Sequence, residues 1–147
     1  VSEAAETATP VEGRATVRVR YAETDRMNVV YHTHYLVWFE IGRTELMREL
    51  GCAYAELEER HGIYFPLREV GARYHTPARY DDTLEVRTVL GSVGGASVRF
   101  AYRVIRRDDE RLLVTGFTEH AAVGAEGRPR RLPPELRDRL FAGVAGR

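Results

Sequence analysis

Lysine is absent from this chain of 147 residues, and all 22 of its basic side chains are arginine. That absence excludes Schiff-base chemistry and the phosphate-cradling loop, both of which need a lysine amine. Serine is scarce: Ser2, Ser92 and Ser97 are the full set, and none sits in a Gly-x-Ser-x-Gly elbow, which argues against serine hydrolysis. The one cysteine, Cys52, has no partner for an internal disulfide or a paired metal-ligand set, and a reducing cytoplasm is the expected location. Net charge is missing too, because 22 acidic residues cancel the arginines and no long basic block occurs. Neither nucleic acid nor an anionic membrane is therefore expected as a partner. No segment reaches the roughly 18 apolar residues of a membrane span. Residues 1–13 hold three glutamates and no apolar run, unlike a signal peptide, and read as a flexible tail before a single domain over 14–147.

What is present fits one core, with 44% hydrophobic and 30% charged residues. Ala15, Val17, Val19 and Tyr21 alternate with Thr16, Arg18 and Arg20 as a half-buried strand. From Tyr31 to about Leu50 a helix is expected, apolar on almost every side in its first half and stopped by Gly51. Ala53 to His61 reads as a second, short helix ended by Gly62. A long strand is predicted over Ile63 to Tyr74, with a bulge at Gly71. Leu84 to Leu90 and Val98 to Val104 alternate as antiparallel strands, Leu112 to Val123 forms the last strand, and Pro133-Pro134 introduces a closing amphipathic helix. One apolar helix followed by half-apolar strands predicts an α+β fold, a curved antiparallel sheet wrapped around a long central helix.

Asp25 stands out within this order. It follows the first strand and lies seven residues ahead of the apolar helical run, so a carboxylate is delivered beside a helix start whose free N–H groups can hold a negatively charged oxygen. On its own chemistry Asp25 is equally a loop acid that caps its own turn.

The run Tyr21, Thr24-Asp25, Val30-Tyr31-His32, Tyr35, Trp38, Glu40 and Arg43-Thr44-Glu45, with Tyr74-His-Thr-Pro77 and Tyr80-Asp-Asp-Thr-Leu84 downstream, resembles the hotdog-fold acyl-CoA thioesterases of the 4-hydroxybenzoyl-CoA type, which include the Tol-Pal-associated thioesterases. The likeness covers roughly residues 14 to 132. It implies a hotdog fold, hydrolysis of acyl-CoA without a metal or other cofactor, and assembly as a dimer or as a tetramer built from two dimers with sites between protomers. Asp25 falls on the family's catalytic acid, acting by direct attack on the thioester carbonyl or as a general base for water. His32 falls where a helix-start amide polarises the thioester oxygen, so the amides near Tyr31 and His32 are the expected oxyanion donors. Tyr31 is a candidate wall of the acyl pocket, or a plain core aromatic. Asn28 stands where the family has glycine. Asparagine also enters the left-handed backbone region at modest cost, while its amide changes how closely substrate approaches.

Arg128 and Arg130 are candidates for the phosphates of coenzyme A by charge alone. Metal binding fails on spacing: His32 and His34 point about 200° apart on a helix, not onto one face. Glu40 and Arg43 are expected to form a buried structural ion pair. Two rivals are a hotdog acyl dehydratase or hydratase, whose usual motif is not recognisable, and a non-catalytic acyl-CoA-binding module.

Overall fold

A computed structural model describes residues 11–144. Most of the expected tail therefore lies outside the described residues, and Gly13 already belongs to a strand. Five strands, β1 (Gly13–Arg18), β2 (Leu67–Tyr74), β3 (Thr83–Val93), β4 (Ser97–Arg106) and β5 (Arg111–Ala121), form one antiparallel sheet in the order β1-β3-β4-β5-β2. Three α-helices accompany them: α1 (His34–Glu49), α2 (Tyr54–Glu56) and α3 (Pro134–Ala142). Among the described residues no helix is long and apolar enough to cross a membrane.

The alternation read from sequence places the core as expected. Leu84, Val86, Thr88 and Leu90 of β3 and Val98, Phe100, Tyr102 and Val104 of β4 are all buried, because successive side chains of a strand point to opposite faces. Against this face lie Tyr35, Trp38, Phe39, Leu46 and Met47 of α1, which makes the arrangement a hotdog fold. Two glycines permit the close approach of helix and sheet. A β-carbon on Gly42 would lie 2.4 Å from Thr88 Oγ1, and one on Gly116 would lie 2.5 Å from the Phe39 ring. The Phe39 ring stacks on Tyr102 at 4.3 Å between centroids.

Three expectations need correction. Helix α1 is not buried all round, since Val37 and Ile41 are 53% and 38% exposed and Glu40 faces solvent beside them. The buried Glu40–Arg43 pair does not form: no ion pair joins them among the described residues, because the exposed face that carries Glu40 leaves its carboxylate hydrated. The third concerns β2, which starts at Leu67, four residues later than expected, and is irregular between Leu67 and Glu69, not at Gly71. Gly71 is small because the Phe117 ring lies over it, where a β-carbon would come within 2.4 Å.

The second helix is a single α turn that continues as a π turn over Leu57–His61 and ends at Gly62 in the left-handed conformation, φ 60°. Pro134 does open α3, whose Leu136 and Leu140 are buried. Buried His120 is fully engaged, with Nδ1 3.1 Å from the Phe65 carbonyl and Nε2 2.9 Å from Thr118 Oγ1. Burial pushes its pKa below the ordinary histidine range, so the neutral imidazole is the form that completes the core.

Candidate active site

Strand β1 ends at Arg18, and the chain then turns sharply through a 3-10 turn at Tyr21–Glu23. Tyr21, expected to continue the strand's inner face, is instead 79% exposed. The turn is set by Glu23, a buried acid whose carboxylate accepts the Arg20 N–H at 2.7 Å. The sequence signal for Glu23 is its spacing, an acid three residues after the start of a turn, which is that of a capping box.

Asp25 stands at the head of the next loop. Its N–H donates to the Val29 carbonyl, its carbonyl accepts from Asn28 N–H, and its Oδ1 accepts from Met27 N–H at 2.8 Å. Both readings of this residue therefore coexist. One oxygen caps the turn and fixes the side chain, while Oδ2 has no hydrogen-bond partner among the described residues. Asn28 adopts φ 63°, the left-handed conformation expected of the position, with its side chain exposed and outside the Asp25 cavity.

That cavity, about 290 Å³, is lined by Asp25, Val30, Tyr31, His32, Tyr35, Tyr74 and the segment from His75 to Pro77. Its floor is pinned from two sides. Val30 N–H donates to the Ala78 carbonyl at 2.9 Å, and Ala78 N–H donates to the buried Tyr35 hydroxyl at 3.0 Å. A larger cavity of about 710 Å³ lies farther along α1 between Glu40, Arg43, Tyr54 and Tyr64. It adjoins the helix interior, where amides are already bonded within the helix, so this stretch of α1 offers it no open backbone donor.

The helix start does. Helix α1 opens at His34, three residues later than expected, and Thr33 caps it without a side-chain bond. Of the two amides expected to polarise a thioester oxygen, that of Tyr31 is spent, since it donates to the Glu23 carbonyl at 2.9 Å. The N–H groups of His32 and Thr33 have no acceptor among the described residues. A helix start leaves such donors open by geometry, and His32 lines the cavity that holds Asp25. Tyr31, 46% exposed, bounds the same cavity and is not a core aromatic.

Arg128 and Arg130 do not line this cavity. Arg130 donates through Nη1 to the His61 carbonyl and borders a separate concavity of about 470 Å³ with Arg131 and Arg137. Tyr74, which the sequence offers only as part of the family-like run at 74–77, donates through its hydroxyl to the His32 carbonyl at 3.0 Å.

Residues 19–140 match the thioesterase-like superfamily. The acyl-CoA thioester hydrolase YbgC of Escherichia coli O6:H1 is 32% identical over 123 residues, covering 84% of this chain and 91% of that protein. Among solved structures, the hypothetical protein TT1821 of Thermus thermophilus superposes with a TM-score of 0.81 at 37% identity, over 89% of this chain and 96% of that one. The DHNA-CoA thioesterase of Staphylococcus aureus superposes with a TM-score of 0.81 at 29% identity, over 89% of this chain and 87% of its own.

Proposed function

The chain belongs to the thioesterase-like superfamily, and from that premise we propose that it hydrolyses acyl-CoA to a free acid and coenzyme A with Asp25 as the reacting acid. The observation that carries this reading is the shared cavity: a carboxylate with one free oxygen and a helix start with an open amide line the same walls. In the general-base route Asp25 takes a proton from water as the water oxygen bonds to the carbonyl carbon. The carbon–sulfur bond then breaks, and the thiolate leaves and takes up a proton. In the nucleophilic route Asp25 itself bonds to that carbon, the thiolate leaves, and water hydrolyses the anhydride. Both routes place negative charge on the former carbonyl oxygen, where the His32 amide supports it. Arg128 and Arg130 stay candidates for the phosphates of coenzyme A only by way of a neighbouring protomer's site.

The reading is tested by release of free thiol from short, long and aromatic acyl-CoAs, beside enoyl-CoA and hydroxyacyl-CoA. Thiol release from at least one acyl-CoA is expected. Water addition to enoyl-CoA without thiol release would make the protein a hydratase, and tight binding without turnover would make it a binding module.

The site belongs to a dimer in this reading. Strand β2 is an edge with unpaired backbone groups along one side and exposes Leu67, Val70 and Tyr74, a surface that invites pairing with another strand. The open face of α1, with Val37 and Ile41, is a second apolar surface. A two-fold pairing of β2 with its symmetry mate satisfies the edge in both copies, and Tyr74 brings that seam to the Asp25 cavity. Val70→Arg is expected to shift sedimentation toward the monomer mass; an unchanged mass would place the interface elsewhere. The reducing environment suited to the single buried thiol of Cys52 supports a cytoplasmic location.

A further inference from the structure

The amide that faces a developing oxyanion is useful only if its direction is fixed before substrate arrives, because reorientation during the reaction would consume the stabilisation it supplies. His32 and Thr33 precede α1, so the helix ladder does not fix them. Their orientation must come from the carbonyl oxygens on either side, since each peptide unit is planar and trans and its C=O and N–H point in opposite directions. The Tyr31 carbonyl, which shares a peptide plane with the His32 N–H, accepts from His34 N–H at 3.1 Å. That bond is local, a turn closing on itself. The His32 carbonyl, which shares a plane with the Thr33 N–H, is held by Tyr74 from the end of β2, 42 residues away. The Tyr74 ring also packs edge-on against the rings of His32 and Tyr35, with centroids 6.3 and 5.5 Å apart.

We propose that Tyr74 is a positioning residue for the oxyanion donors: its hydroxyl, by gripping the His32 carbonyl, fixes the 32–33 peptide plane and the direction of the Thr33 N–H, beside the 31–32 plane and its His32 N–H that the local Tyr31–His34 bond sets. The inference rests on the thioesterase reading. It adds a residue that touches neither the reacting carbon nor its oxygen and acts through the main chain of its neighbour. Burial raises the Tyr74 pKa above that of an ordinary phenol, so the group is a proton donor throughout the neutral range. The clamp also ties the site to β2, the same strand whose free edge faces a partner in the dimer proposed above.

Tyr74→Phe keeps the ring contacts and removes only the clamp. Turnover of an acyl-CoA that the wild type hydrolyses is expected to fall about tenfold, less than the roughly 10²–10³ seen when an oxyanion donor is deleted outright. KM should change by less than about twofold, because a group that acts in the transition state leaves ground-state binding alone. The melting temperature and the sedimenting mass are expected to stay at their wild-type values. A second readout isolates the oxyanion: the matching dithioester, with C=S in place of C=O, is a poor acceptor for amide donors, so the wild type should prefer the oxygen substrate strongly and Tyr74→Phe should prefer it less. A wild-type kcat in Tyr74→Phe overturns the proposal. So does a loss that appears in KM, or one that falls equally on both substrates. Asp25→Asn, assayed in parallel, separates this from the parent reading: an inert Asp25→Asn beside an unimpaired Tyr74→Phe rejects the clamp alone, whereas an active Asp25→Asn rejects the role of the acid.

Discussion

Asp25→Asn is expected to lower thioester turnover at least a hundredfold while leaving the fold and KM near their wild-type values. The substitution is nearly isosteric, and asparagine keeps a carbonyl oxygen able to accept from Met27 N–H, so the loop held by that bond retains its shape. What disappears is the negative charge and the basic oxygen. An amide neither removes a proton from water nor attacks a thioester carbon, and the loss of a proton-transfer group typically costs about 10²–10⁴ in rate. Because the interaction is made only as the carbonyl carbon is attacked, kcat and kcat/KM should fall together. Steady-state thiol release from any acyl-CoA that the wild type hydrolyses measures both. Wild-type turnover in the variant would remove the acid from the mechanism and leave the helix-start amides as the working part of the site.

The parts of this site differ in how visible they are in the sequence, for a physical reason. The strands were legible because a period of two reports a half-buried sheet directly; Leu84 to Leu90 and Val98 to Val104 bury the residues that alternation selects. The position of Asp25 and the left-handed turn at Asn28 were visible through the family resemblance, the latter from the glycine that Asn28 replaces, and the bonds that shape their loop are local, spanning two to four residues. The state of the Tyr31 amide was not visible, since the acceptor that occupies it belongs to Glu23 and the contact depends on a turn folding back across the loop. The bond from Tyr74 is hidden for the same reason at longer range: a hydroxyl reaching a carbonyl 42 residues away leaves no periodic trace. The exposed stripe on α1 misled in the opposite direction. Val37 and Ile41 look like core residues, and their exposure in a single chain follows if apolar side chains were placed there for a neighbouring subunit, which hydrophobicity does not distinguish from the interior.

Phe39→Ala is expected to be the most damaging core substitution, costing about 3–5 kcal/mol of stability as typical Phe→Ala changes do. Phe39 is fully buried, stacks on Tyr102 and meets the bare backbone of Gly116, so its removal opens space that rigid strand backbone cannot close. For a domain of this size, each kcal/mol lowers the melting temperature by roughly 2–4 °C, which calorimetry resolves easily. The same contact predicts a sign for coupling. Gly116→Ala alone forces a methyl group to 2.5 Å from the Phe39 ring, an overpacking that costs typically about 1–3 kcal/mol. With Phe39 already shortened to alanine the ring's share of that clash is gone, leaving the Gly71 carbonyl at 2.7 Å as the remaining close contact, so the double variant should be more stable than the two single losses added together. A strictly additive pair would mean that the cost of the Gly116 methyl comes from the Gly71 carbonyl and not from the Phe39 ring. Since the open amides beside Asp25 lie on the residues that lead directly into α1, activity near the melting range should decline with the seating of this helix, and residual turnover in Phe39→Ala should track its folded fraction.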